Sequence, residues 1–301
     1  MLTKKKAVCI YHGNCADGFG AAWVVRKAMG DSVEFIPGVY QNAPPDVTGR
    51  DVILVDFSYK RSVLIEMAQS AASILILDHH KSAAEDLAGF RENPDKTGYK
   101  PSYMAQWAME TQSLPIETVF RLDRSGAMIA WDFFFPEQTP PSLLLYIEDR
   151  DLWRFALDGT REIQANLFSY PYDFAVWDRL MEGPVDELRS GGLAIERKHH
   201  KDIAELTQVV TRMMCIGGHV IPIANLPYTL TSDAGHLLCG DTYPFAGCYW
   251  DTPEGRVFSL RSRDGGADVS KIATQYGGGG HHHAAGFRVS FAVAREMEEW
   301  R

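Results

Sequence analysis

A chain of 301 residues, 46% hydrophobic and 23% charged, has the composition of a soluble globular protein with room for two ordinary domains and cores that need no staples. Its five cysteines (Cys9, Cys15, Cys215, Cys239, Cys248) are scattered without a CxxC pair, which fits reduced thiols in a cytosolic protein rather than a disulfide framework. The net charge of −9 argues against a surface that grips long duplex DNA through its phosphates, and for a small anionic ligand in a local pocket or metal ions that bring the positive charge; short oligonucleotides stay compatible.

The opening, MLTKKKAVCIYHG, is basic, but its apolar stretch is too short for a signal peptide. No apolar run approaches the ~20 residues of a membrane helix, so a cytoplasmic location and no membrane partner are expected. AVCIY (7–11) reads as a buried strand and DGFGAAWVVRKAM (17–29) as an Ala-rich helix. VEFIPG is a short strand, DVILVDFS (51–58) a buried one, KRSVLIEMAQSA a helix, SILILDHH a third buried strand, and SGAMIAWDFFF (125–135) a helix. Such repeated strand–helix units with fully apolar strands predict an α/β fold whose parallel sheet carries helices on both faces. Ligands then sit beyond the carboxyl ends of the strands. Residues 185–214 read as a long polar helix, with His199 and His200 solvated on it. HVIPIANL, PFAGCYWD and RVFSLRSR are strands of a smaller mixed domain. The expected organisation is a first domain over 1–190, a connector helix over 191–214 and a second domain over 215–301.

Four predicted strand ends carry ionisable groups. YHGNCADG places His12, Cys15 and Asp17 after the first, LVDFS places Asp56, and LDHH places Asp78, His79 and His80. YIEDRDLW adds Glu148, Asp149 and Asp151 after another apolar stretch. For LDHH alone, exposed histidines or a helix-capping Asp78 compete evenly with a metal site. Acids and imidazoles at four strand ends together are costly to desolvate unless a cation sits among them. Mixed carboxylate and imidazole donors suit Mn²⁺, Mg²⁺, Fe²⁺ or Zn²⁺.

With these motifs in order (HxxCxDG, a lone Asp, DHH, a later Asp, then GGGGH followed by AAGF), the chain resembles the DHH phosphoesterase superfamily with a DHHA1 second domain. That group includes RecJ-like exonucleases, oligoribonuclease/pAp-phosphatase (nanoRNase) proteins and exopolyphosphatase-related enzymes. The resemblance implies a parallel-sheet DHH domain joined by a connector helix to a small mixed α/β DHHA1 domain. It implies metal ligands at His12, Asp17, Asp56, His79 and Asp149, with Asp56 bridging. Asp149 is preferred over Asp151 because it directly ends the apolar stretch; Asp151 is the runner-up, with an ion pair to Arg150 or Arg154 as its other reading. Cys15 stands where the family carries the first Asp of a DxD, so either Cys15 is itself a ligand or that metal binds weakly. Asp78 is the acceptor that orients an imidazole and His80 faces the substrate phosphate.

The resemblance further implies that Gly278, Gly279 and Gly280 cradle substrate through backbone N–H groups. His281 and Arg261 are implied as phosphate contacts. Arg263 has a surface pair with Asp264 as its other reading, Ser125 is a helix cap or a ligand contact, and His282 and His283 are solvated. Tyr243, Tyr249, Trp250 and Tyr276 are available for base stacking or for core packing. The implied chemistry is metal-assisted hydrolysis: two divalent ions, Mn²⁺ first among them, activate a water that attacks phosphorus in line. Short oligonucleotides or small nucleotides are the leading substrates; polyphosphate or pyrophosphate is the alternative, and a nucleotide sensor that does not cut is a third. A homodimer is left open.

Overall fold

Val52, Ile53, Leu54 and Val55 are all fully buried, a state that a strand reaches only when both of its faces are covered. They belong to a computed structural model that describes residues 7–93 and 97–298, so the basic residues 1–6 read above for a leader lie outside the described residues. The chain divides into two compact units, Met1–Ile195 and Glu196–Arg301.

In the first unit β1 (Ala7–His12) leads into α1 (Ala16–Met29), β2 (Val33–Gly38), β3 (Asp51–Val55), α2 (Arg61–Ala68), β4 (Ser73–Asp78), α3 (Lys81–Asp86) and the short β5 (Arg91–Glu92). There follow α4 (Pro101–Thr111), β6 (Ile116–Phe120), α5 (Gly126–Phe134), α6 (Ser142–Asp151), α7 (Thr160–Leu167) and α8 (Phe174–Glu182). The six strands pair in parallel in the order β2-β1-β3-β4-β6-β5, so the α/β parallel sheet read from the apolar runs is what forms. Alternation along β3 divides the core. Ile53 and Val55 pack with α1 and α5, whereas Val52 and Leu54 pack with Leu64 and Met67 of α2. Truncating Leu54 to Ala in such a site costs about 2–5 kcal/mol.

α1 is buried without a break from Ala16 to Val25, so it is an interior helix and not an amphipathic one. Its small residues permit this. A Cβ on Gly18 would stand 2.4 Å from the carbonyl oxygen of His12, so the first turn of α1 is clamped onto the end of β1. That clamp fixes the turn that carries Asp17.

α9 (Val185–Val210) carries the chain past Ile195 into the second unit. There β7 (Thr211–Ile216), β8 (His219–Asn225), α10 (Thr231–Cys239), β9 (Ala246–Thr252), β10 (Gly255–Arg261), α11 (Val269–Gln275), β11 (Gly279–Gly280), β12 (Ala284–Val289) and α12 (Phe291–Glu298) follow. The sheet order is β11-β12-β10-β9-β8-β7, antiparallel except where β8 meets β9. The predicted helix over 185–214 stops early. Thr211–Met214 pair with β8 and Met214 is buried in the core of the second unit, so the hydrogen bonds of those residues belong to a sheet. His199 is also more than a solvated side chain: its Nε2 lies 3.0 Å from Asp233 Oδ2 on α10.

Candidate metal centre

Register builds the site. Tyr11 of β1 pairs with Val55 of β3, and Val55 with Leu77 of β4. The next residues, His12, Asp56 and Asp78, therefore form one row across the carboxyl ends of three adjacent strands. Asp56 turns the chain there with φ 52°, a left-handed conformation that a residue with a Cβ adopts at a cost and that clusters at functional sites. Asn14, Trp153 and Phe155 share it, at φ 54°, 57° and 48°.

The carboxylate of Asp56 is 1% exposed and faces two ways. Its Oδ1 lies 3.0 Å from His79 Nε2. Its Oδ2 lies 3.4 Å from His12 Nδ1, beyond ordinary hydrogen-bond length, and has no hydrogen-bond partner among the described residues. Two donor sets share this residue. Ligand atoms of Asp17, Asp56 and His79 lie within 4.8 Å of one another, and so do those of His12, Asp56 and His80.

Asp17 reaches the cluster from the first turn of α1, with its Oδ2 3.8 Å from His79 Nε2. It also accepts the Gly126 and Ala127 N–H groups at 2.5 and 3.0 Å, and Ser125 Oγ accepts the Met128 N–H. Ser125 is thus the cap of α5, and Asp17 ties that helix's N-terminus to the site. The contact leaves no spare room: a Cβ on Gly126 would lie 2.4 Å from Asp56 Cβ.

The fourth acid differs from the one expected. YIEDRDLW does not end a strand; it is the last turn of α6 and its exit. Asp149 is turned away from the imidazoles and is buried, accepting the Ala156 and Leu157 N–H groups at 2.9 and 3.1 Å and the Thr160 hydroxyl at 2.5 Å. Those bonds occupy both of its oxygens and hold the loop after α6. Asp151 faces the cluster instead, with Oδ2 3.6 Å from His79 Nε2. Of the two candidate acids, Asp151 and not Asp149 is the one beside His79.

Three carboxylates converge on one imidazole nitrogen, and the charges respond. Burial, then the carboxylates of Asp151 and Asp56, push the Asp17 carboxyl well above its usual range. Burial alone would raise Asp56 too, but the imidazoles of His12 and His79 hold it well below. Burial lowers His79, and the Asp56 hydrogen bond with the charges of Asp151, Asp56 and Asp17 outweighs it, lifting the imidazole to about 10. Without a metal, the His79 proton supplies the positive charge that this acidic cage demands. The buried Asp56 Oδ2 and the oxygen-rich donors fit a divalent cation.

Asp78 holds the neighbouring imidazole. Its Oδ1 accepts the His79 and His80 backbone N–H groups at 2.7 and 3.2 Å and His80 Nδ1–H at 2.7 Å. Burial lowers the His80 pKa, but the Asp78 charge and hydrogen bond outweigh it and raise it. This bond sets the orientation of the His80 ring.

In the second unit, Arg261 donates to Ser259 Oγ and the Leu260 carbonyl through Nη1 and to Ser232 Oγ through Nη2, at 3.0, 2.8 and 2.7 Å. The glycine run leads from α11 through β11 toward β12. Gly278 N–H is bonded to the Ala273 carbonyl and His281 N–H to the Ala284 carbonyl, while Gly279 and Gly280 pair with β12. Its glycines answer to packing, since a Cβ on Gly278 would lie 2.1 Å from the Gly286 carbonyl oxygen. Arg263 donates to the Asp241 carbonyl rather than pairing with Asp264. It is His283 that approaches Asp264, at 3.5 Å, and its Nδ1 contacts Ser262 Oγ. Tyr249 is packed under Arg256 and Arg212, and Tyr276 stacks on Phe287.

The sequence reading missed Tyr40. Its ring centroid lies 5.2 Å from that of His12, 5.9 Å from His80 and 4.8 Å from Phe57, yet the residue is 42% exposed. Tyr40 sits in the β2–β3 loop with no local signal; only an exposed aromatic between two short strands could have flagged it.

No protein-family model matches the chain. An uncharacterized protein of Acanthamoeba polyphaga mimivirus is 29% identical over 309 residues, covering 94% of this chain and 67% of that protein. Among solved structures, the chain is similar to a pGpG-specific phosphodiesterase, PggH, of Vibrio cholerae, at 16% identity and a TM-score of 0.44 over 98% of this chain and 97% of that one. It is also similar to an exopolyphosphatase-related protein of Bacteroides fragilis, at 13% identity and a TM-score of 0.42 over 98% and 91% of the two chains.

Proposed function

We propose that this chain is a divalent-metal-dependent phosphoesterase of the DHH type, hydrolysing the phosphodiester or phosphomonoester bonds of short oligonucleotides or small nucleotides. The observation that carries the reading is the buried Asp56 carboxylate shared between two imidazole-bearing donor sets. One ion would be held by Asp17, Asp56, His79 and Asp151, the other by His12 and Asp56. When bound, divalent ions, Mn²⁺ in this proposal, supply Lewis-acid charge for a phosphoryl group and lower the pKa of water.

The chain's own residues do the rest. His80, held through Nδ1 by Asp78, is the proposed phosphoryl contact; burial lowers its pKa, but the Asp78 charge and hydrogen bond outweigh it, which favours the charged, donating imidazole. Asp78 is a positioning residue. Asp17 and Ser125 hold the start of α5 against Asp56, which limits movement of the shared carboxylate. Tyr40 presents an exposed ring at the rim, suited to a nucleobase and of no use to a bare polyphosphate. Arg261 and His281 are the proposed phosphate contacts of the second unit.

The test incubates the Mn²⁺-loaded full chain with pAp, a dinucleotide, a cyclic dinucleotide, a long single strand and polyphosphate, with Asp56→Ala as control. Mononucleotide from the dinucleotide, or phosphate from pAp, is expected, and is lost with chelator and in the variant. Phosphate from polyphosphate alone would move the reading to phosphoanhydrides. Nucleotide binding with no turnover would make the chain a sensor.

A further inference from the structure

We propose that Glu148 is a positioning residue of the metal centre, holding Asp151 in place by tying the last turn of α6 to the start of α5. This role rests on the metal-centre reading above and adds to it a residue outside the donor sets on which metal affinity depends.

A helix start leaves four N–H groups without partners in the helix itself. In α5 they belong to Ser125, Gly126, Ala127 and Met128, because the first helical bond runs from the Ile129 N–H to the Ser125 carbonyl. Each has a side-chain acceptor. Ser125 Oγ accepts the Met128 N–H at 3.4 Å, and Asp17 accepts those of Gly126 and Ala127. Glu148 Oε1 accepts the fourth, from Ser125, at 3.2 Å. Two of the three acceptors come from other elements: Asp17 from α1, and Glu148 from α6, which also carries Asp151. The same turn of α5 abuts Asp56 through Gly126. One helix start therefore gathers the segments that bring Asp17, Asp56 and Asp151 together.

Glu148 has little freedom to move. It is buried, and its other oxygen, Oε2, accepts Arg124 Nη1 at 2.9 Å. Arg124 is itself pinned by Asp132, through Nε at 3.2 Å and Nη2 at 3.0 Å. Glu148 and Asp151 stand three residues apart in α6 and so are neighbours on one side of it. Fixing Glu148 on Ser125 sets the rotation of α6 about its axis, and that rotation brings Asp151 Oδ2 to 3.6 Å from His79 Nε2.

The experiment compares Glu148→Asp and Glu148→Gln in the full chain, measuring Mn²⁺ binding by calorimetry without substrate and melting in chelator. Glu148→Asp keeps the charge but falls a methylene short of Ser125. Glu148→Gln keeps the length and an acceptor oxygen for the Ser125 N–H. Expected is a Mn²⁺ Kd raised by about 10–100-fold in Glu148→Asp, as when an outer partner of a metal ligand is disturbed, with Glu148→Gln closer to wild type. Asp178→Asn breaks a comparable contact with Trp23 and Arg26, further along α1, and should lower melting while leaving the Mn²⁺ Kd unchanged. The assignment falls if Glu148→Asp binds Mn²⁺ like wild type. It falls too if Glu148→Gln is the weaker binder, which would make the effect one of charge, or if Asp178→Asn weakens binding as much, since affinity would then follow stability. In those cases the wild type still binds Mn²⁺ and the phosphoesterase reading stands. If the wild type binds no Mn²⁺, both fall.

Discussion

Exchanging the roles of two acids two residues apart gives the sharpest test of the centre. In Asp149→Asn the amide keeps one acceptor oxygen but turns an NH₂ toward a region where the Ala156 and Leu157 N–H groups and the Thr160 hydroxyl all donate. At least one charge-assisted bond is lost and a buried donor meets a donor. Hydrogen bonds to charged groups are worth about 1.5–3 kcal/mol, so a loss of about 3 kcal/mol is expected, with or without metal. At about 2–4 °C per kcal/mol for a large domain, melting falls by roughly 6–12 °C.

In Asp151→Asn the lost charge faces His79 beside two other carboxylates, so melting in chelator stays within about 1 kcal/mol of wild type. The metal response is what goes. Mn²⁺ at a hundredfold its Kd stabilises a protein by about 2.7 kcal/mol per site, and a hundredfold loss of affinity leaves about 0.4 kcal/mol at the same concentration. Thermal unfolding by circular dichroism, in chelator and in Mn²⁺, reads both. The assignment is refuted if Asp149→Asn melts like wild type in chelator yet erases the Mn²⁺ shift, while Asp151→Asn keeps it.

Gly126→Ala should abolish Mn²⁺ stabilisation and lower the melting temperature, because its Cβ would stand 2.4 Å from Asp56 Cβ and 2.9 Å from Asp17 Oδ2; an unchanged Mn²⁺ titration would contradict the packing. Asp78→Asn removes the charge that outweighs burial and raises His80. The alkaline limb of kcat/KM, set by loss of the His80 proton, should then move to lower pH, whereas a purely structural role predicts lower activity with the limb in place. Tyr40→Ala should raise KM for a dinucleotide by roughly 5–150-fold, from a stacking worth about 1–3 kcal/mol, with Tyr40→Phe close to wild type. An equal effect on polyphosphate would show that the ring does not read a base.

Much of the first unit was legible because its strands are buried on both faces. A run such as Val52–Val55 has one reading, and the polar residues that end β1, β3 and β4 follow from it. His12, Asp56, Asp78, His79 and His80 are therefore placed at one edge by the sequence pattern alone. The stretch before Asp149 is different. Leu143, Leu144 and Ile147 are buried in α6, yet a short apolar run does not tell a strand from a helix. On a helix, Asp149 and Asp151 point about 200° apart, so the docking of α6 decides which one meets His79. GGGGH looks locally like a phosphate cradle, and only the approach of Gly286 and Phe287 shows why it lacks side chains.

The sequence by itself determined the parallel sheet and the acids and imidazoles at its strand ends, since burial pattern and chain order are written in consecutive residues. Tertiary structure decided that Asp151 rather than Asp149 faces His79, that Asp56 offers its two oxygens to different imidazoles, and that Tyr40 stands beside His12 and His80. Those are contacts between segments distant in sequence, set by packing that no local pattern records.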